Sequence, residues 1–360
     1  MLESKVISSL CALLVLFQGP VTGSNPMDVG QATDWKALES PVLSNIKQLT
    51  SDFARAGESY FAPDGKSIIF QAEEKSTGNP FYQIFVQSLD GGAPRRISPG
   101  IGKTTCAFYR PDGKKVIFAS THQDPLAASQ YQAELDQRAE EKKSGKRRRY
   151  QWDFDPYMEI YESNPDGTEL KKLTDSKGYD AEGSYSPDGK QIVFCSERGG
   201  KGNLELFIMD SDGGNVRQLT KAPGCYNGGP FFSPNGKKVI FRSDRKKKDH
   251  LQVMVINTDG TNEKTLFEDL DWVQWGPFWH PDNKHIVYAA ANHAVAGRPN
   301  YDIYWMDTET GKNLRITHAP GADVLPVFAP DGKKMMWTST RDGRLPSQVF
   351  IADFKAPVAP

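Results

Sequence analysis

The sequence predicts an all-β fold, a six-bladed β-propeller, and three observations predict it. An aromatic residue, one further residue and Pro-Asp-Gly-Lys or a close variant recur six times, each copy followed by a β-rich run. The prolines stand at 63, 111, 187, 234, 281 and 330, so the copies lie 47–49 residues apart except for one interval of 76. Each repeat has room for four strands, and repeats of about 40–50 residues with four strands apiece read as propeller blades.

The elements follow in chain order. Lys5 precedes an apolar run over residues 6–17, then a small-residue stretch ending at Gly23. That run falls short of the ~20 residues that span a bilayer. Residues 1–23 therefore read as a cleaved signal peptide, and the protein as exported with no transmembrane anchor. Cys11 follows Leu10 with no small residue before it, which excludes a lipoprotein site. Residues 24–44 read as an N-terminal linker, 45–354 as the propeller and 355–360 as a tail.

Within a repeat, such as the one around Pro187, strand a ends at Tyr185 and Asp188-Gly189 makes the a–b turn. Glycine accepts the positive φ of that turn, and proline ahead of it needs no ladder hydrogen bond. Strand b is 191–194, strand c is 204–208, and a second turn at Asp212-Gly213 leads to strand d at 216–219. The Asp and Lys of these motifs are turn residues, with no catalytic role. The last repeat stops after strand c, at 348–351. Residues 46–50, Ile-Lys-Gln-Leu-Thr, match Val-Arg-Gln-Leu-Thr at 216–220 and Leu-Lys-Lys-Leu-Thr at 170–174. The N-terminal strand is expected to complete the sixth blade and hide both sheet edges.

Tyr185-Ser-Pro-Asp-Gly-Lys with Ile-Val-Phe, and Gln-Leu-Thr at the ends of repeats, resemble the TolB-like six-bladed propeller family over roughly residues 46–354. The resemblance implies a Gram-negative periplasm and protein partners such as a peptidoglycan-associated lipoprotein. Residues 24 to about 44 are too short for the N-terminal α/β domain that precedes the propeller of that family. Similar blades occur in dipeptidyl-peptidase-type proteases and oligogalacturonate lyases, so the fold alone does not name an activity.

Composition narrows the classes. A formal net charge of −1 argues against a general polyanion binder, and export argues against nucleic acid. The three cysteines after residue 23, Cys106, Cys195 and Cys225, allow at most one disulfide and have no metal-ligand spacing. The six histidines form no evident cluster, so no cofactor or catalytic residue is assigned and a monomer is expected.

Alternation of strand direction puts the d–a and b–c connections on one face, here called the mouth, and the short Asp-Gly turns on the other. Irregular loops over a rigid scaffold are where binding usually sits. The six d–a segments carry a summed charge of −5, whereas the b–c loops lean basic, with Arg245, Lys246, Lys247, Lys248, Arg298, Arg341 and Arg344. Glu58, Asp180 with its neighbour Glu182, and Asp323 are expected to gather from three different blades at this mouth. They would attract a cation, either a Lys or Arg of a partner or a Ca²⁺ ion; solvated surface charge is the competing reading. Trp272 and Trp275, with Tyr226 and Asn227, would face the mouth and stack on a saccharide or a partner, unless they pack between blades. The long interval is a b–c insertion of blade two, at 121–156. Asp124-Pro125 would start a helix ended by Gly145, with Leu126, Tyr131, Leu135 and Arg138 as a partial stripe. Lys146, Arg147, Arg148 and Arg149 follow, a basic run suited to docking a partner. These readings converge on a non-catalytic, exported binding platform of the cell envelope. The alternative is a saccharide-binding protein or polysaccharide lyase that uses the channel mouth.

Overall fold

The computed structural model describes residues 34–145, 154–297, 299–343 and 346–357. Six antiparallel sheets of four strands each form the ring. Blade three is representative, with strands a to d at Asp180–Tyr185, Gln191–Ser196, Glu205–Asp210 and Arg217–Gln218. In every a–b turn the Asp or Asn side chain accepts the backbone N–H two residues on, as Asp188 does from Lys190 at 3.1 Å and Asn235 from Lys237 at 3.0 Å. That local bond fixes the turn and explains the recurrence of the motif.

The ring closes as the repeats require. Leu43–Gln48 pairs antiparallel with Gln348–Phe354, Lys47 opposite Ile351 and Gln48 opposite Phe350. Thr50 donates to Gln348 Oε1 at 2.7 Å and accepts from the Val349 N–H at 2.9 Å. Thr174 and Thr220 make the same two bonds, to Glu159 and Ile160 and to Glu205 and Leu206. The Leu-Thr endings therefore tie strand d to the first residue of strand c in these three blades.

Blade five departs from this pattern in an informative way. Its strand c begins with Asp302, one methylene shorter than the Glu or Gln elsewhere. One Asp302 oxygen pairs with Arg315 at 2.7 Å, while Oδ1 is buried without a partner among the described residues. The deficit is made good from outside the blade. A short helix α1, Trp35–Glu39, brings Glu39 to the His318 and Ala319 N–H groups at 2.7 and 3.2 Å. In blade three Glu205 itself takes the corresponding Ala222 N–H. The two loops share Thr-x-Ala-Pro-Gly, at 220–224 and 317–321. Part of the stretch read as a linker is thus packed into the ring, with Glu39 buried.

Burial raises the Asp302 carboxyl to about 7, only partly countered by Arg315. The native state therefore holds a proton that the unfolded chain releases near 3.8, and stability falls as pH rises through that window. Asp302→Gln removes the charge and restores the reach to Thr317 seen at Gln348. It is expected to stabilise by roughly 1–3 kcal/mol at pH 8 and by less at pH 5; thermal melts at both pH values check this.

The blade-two insertion carries helix α2, Ala127–Ser144, ended by Gly145 at φ 66° as expected. It starts later than Asp124-Pro125 implied. Asp124 instead accepts from Leu126 N at 2.8 Å and Gln130 Nε2 at 2.8 Å, holding the preceding turn. The stripe does not pack as apolar surface: Leu126 and Leu135 are exposed. Polar groups dock the helix. Arg138 binds Glu73 at 2.8 Å and the Pro80 carbonyl at 2.7 Å, and Tyr131 accepts from Gly102 N and from Asn79 at 3.2 Å.

Candidate functional site

Strand a of every blade contains an irregularity at the fifth residue before the proline. Glu58, Cys106, Glu182, Gly229, Gly276 and Leu325 all have positive φ, from 38° to 59°. The a–b register shifts at this place in each of the six blades. Such bulges re-aim a side chain. In non-glycine residues the conformation is strained, and strain of this kind collects at functional positions.

Two residues further along strand a, the axis is filled. Tyr60, Phe108, Phe231 and Phe278, from blades one, two, four and five, touch ring to ring at centroid distances of 5.1–6.1 Å. Strand a runs from the mouth towards the turns, so these rings floor a recess that opens on the mouth face.

Above that floor lies a polar layer. Glu182 accepts from Tyr226 Oη at 2.9 and 3.0 Å, from Gly229 N, and from Arg242 at 3.2 Å. Glycines make this possible. A Cβ on Gly229 would lie 2.2 Å from Arg242 Nη1, and one on Gly228 would lie 2.1 Å from Tyr226 Oη. The missing side chains of blade four are therefore replaced by an arginine reaching across from its strand b.

Glu58 sits differently. Of the four proposed carboxylates it alone has no Lys, Arg or His within ion-pair distance among the described residues. Its contacts are long: Tyr60 Oη and Thr105 Oγ1 at 3.4 Å and Cys106 Sγ at 3.8 Å. Thr105 has one hydroxyl proton, and Gln71 Oε1 at 2.6 Å is the nearer acceptor. Burial, and then the Glu182 charge across the channel, push the Glu58 carboxyl above its ordinary range. Burial and Glu58 do the same to the Cys106 thiol, which disfavours a reactive thiolate. Cys106, Cys195 and Cys225 form no disulfide with one another.

The structure corrects several sequence-based expectations. Glu58 and Glu182 share the channel layer, but Asp180 and Asp323 are fully buried within their own blades. Asp180 pairs with Arg198 at 2.6 Å, and Asp323 with Arg341 at 2.9 Å. Local pairing, 18 residues along the chain in both cases, thus accounts for them. Tyr226 and Asn227 are buried, Tyr226 on Glu182 and Asn227 on Glu205 at 3.0 Å and Arg245 at 2.5 Å. Trp275 is buried, and Trp272 packs edge-on against Tyr304 at 5.9 Å. Neither ring lies open as a stacking platform. The basic rim is paired too: Arg245 with Glu263 at 2.5 Å, Lys246 with Glu268 and Lys248 with Asp244 at 2.9 Å. Lys146, Arg147, Arg148 and Arg149 lie outside the described residues, as do Arg298, Arg344 and residues 1–23. Among the described residues no group of three or more His, Cys, Asp or Glu is arranged to hold a metal ion, and no helix is long and apolar enough to cross a membrane.

Sequence reasoning missed Arg198, Arg242 and Glu39, and placed Arg341 on the outer basic rim when it is buried on Glu39 and Asp323. A signal existed for Arg198 and Arg341. Ser-x-Arg closes strand b at Ser196-Glu197-Arg198, Ser243-Asp244-Arg245 and Ser339-Thr340-Arg341. In each the serine hydroxyl accepts the arginine N–H, turning the guanidinium back onto the start of strand a.

Known proteins agree with this architecture. A family model described as the TolB β-propeller domain matches residues 144–296. A protein of Chlorobium luteolum named as a TolB homolog is 27% identical over 164 residues, covering 42% of this chain and 36% of the relative. The chain thus aligns with about a third of that relative's length. The crystal structure of TolB from Acinetobacter baumannii superposes with a TM-score of 0.52 at 20% identity, covering 85% of this chain and 65% of that one. Oligogalacturonate lyase from Vibrio parahaemolyticus gives 0.52 at 13% identity, covering 86% and 93%. At such identities the superpositions speak to fold alone. The chain is a TolB-like six-bladed propeller.

Proposed function

We propose that this propeller is a non-catalytic platform of the cell envelope, exported to the periplasm, that binds a protein partner at its mouth face. The observation that carries the reading is the recess itself. A polar layer held by six bulges, four of them strained, opens on the irregular face and ends on an aromatic floor, a geometry for receiving a group. Nucleophile, base and oxyanion donors, which hydrolysis or elimination would need together, do not converge in the described part of this layer. The kinship with proteins named TolB supports a protein partner, of which a peptidoglycan-associated lipoprotein is the type implied. The saccharide reading gains nothing from the geometry, because Trp272, Trp275, Tyr226 and Asn227 are engaged in packing or hydrogen bonds.

The docked helix α2 belongs to the same face and tests the reading. Replacing residues 124–154 by a short Gly/Ser linker leaves all four strands of blade two in place. Glu73 keeps Arg55 as a partner at 2.7 Å. The expected cost is about 1–2 kcal/mol, read by thermal melting, with capture of the envelope partner weakened at least tenfold. Capture at full strength by a folded variant would remove the arm from the binding face.

A further inference from the structure

Resting on that reading, we propose that Glu58 anchors a subsite for an alkylammonium group, the tip of a lysine side chain that enters the recess from the mouth. Three oxygens meet there from blades one and two: the Glu58 carboxylate, Thr105 Oγ1 at 3.4 Å from it, and Gln71 Oε1 at 2.6 Å from the threonine. An ammonium carries three N–H donors and no acceptor, which matches this set. Gln71 is 8% exposed, so its carbonyl is fixed rather than adaptable. The Tyr60 ring lies in the floor beneath, a favourable neighbour for a cation.

Two further observations favour an added group over a self-sufficient network. The partly buried Glu58 is left with long contacts only, whereas Glu182 in the same layer has an arginine, a tyrosine and a backbone N–H. Trp275 is 7% exposed and its Nε1–H has no acceptor among the described residues, although the ring lies beside the Arg242 guanidinium at 5.6 Å. A peptide brings an ammonium and main-chain carbonyls together, and so offers a partner both to a carboxylate lacking a cation and to an open indole donor. Arg242 already fills the blade-four sector, and Leu325 occupies the space beside Gly276, its backbone 3.3 Å from where a Cβ would be. What remains suits a slender chain.

The experiment titrates N-acetyl-lysine methylamide into the purified chain and follows the Trp275 indole N–H resonance, assigned with Trp275→Phe. N-acetyl-norleucine methylamide is the uncharged comparison. Saturable binding near 1 mM is expected for the lysine compound, at least tenfold weaker for norleucine and for Glu58→Gln. Affinity should rise with pH as the Glu58 carboxyl ionises. Gln71→Leu should weaken binding as well, while Glu309→Gln, exposed in a c–d turn on the opposite face, should not. Equal binding of norleucine, or unchanged affinity in Glu58→Gln with an intact melt, overturns the proposal. If the amide does not bind while partner capture by the native chain persists, the ligand class is wrong and the platform reading stands.

Discussion

A chain that starts at residue 51 is expected to lose ~4–6 kcal/mol of stability, enough to leave many domains unfolded at 37 °C. The estimate has three sources. Val42 and Leu43 are buried in the core between blades five and six, and exposing each costs roughly 1.5–3 kcal/mol. Strand c of blade six, Gln348–Phe354, loses its outer partner and becomes an open edge. The His318 and Ala319 N–H groups lose Glu39. Urea titration of the two chains measures the difference, and a truncated chain as stable as the full one would show that closure is ornamental.

Arg341→Met is the second large effect. Arg341 is 3% exposed and lies between two carboxylates, Glu39 at 3.2 Å and Asp323 at 2.9 Å, themselves 1% and 0% exposed. Removing the cation strands both, and breaking a buried pair this way costs about 3–5 kcal/mol. Burial already holds the Glu39 carboxyl above its ordinary range with Arg341 present. Without Arg341 the Glu39 carboxyl rises further, so the deficit should shrink as pH falls and it binds a proton, and grow as pH rises through its native value. Arg341→Lys should not rescue fully, because one ammonium cannot fork to both partners. In the chain that lacks Glu39 the same substitution should cost less, a coupling that a double-mutant cycle reads directly.

What the sequence disclosed and what it hid have physical causes. The Pro-Asp-Gly-Lys turns are local, each fixed by one side chain and one positive-φ residue, a glycine in five blades and Asn283 in the other, so they could be read and the ring followed. The Leu-Thr endings could be matched end to end for the same reason, since Thr50 repeats what Thr174 and Thr220 do. The channel layer could not. Glu58, Cys106 and Leu325 adopt a backbone conformation their side chains disfavour, and nothing local announces it. A carboxylate at the bulge, such as Glu182, turns towards the channel, whereas Asp180 two residues earlier turns into its blade. Counting charge along 174–183 merges these two environments. The glycines at 228 and 229 looked like an absence of chemistry, yet they admit Arg242. Glu39 was hidden because its need arises 263 residues away, where Asp302 is too short.

Which face a partner covers is the most direct test of the platform. Backbone hydrogen exchange of the propeller, alone and with the partner captured from envelope extract, measures this. Protection is expected in the d–a segments around 100–106, 174–183 and 220–229 and in helix α2. The Asp-Gly turns at residues 64–66, 112–114, 188–190 and 331–333 should exchange as in the free chain. Protection confined to those turns, with the mouth unchanged, would contradict it.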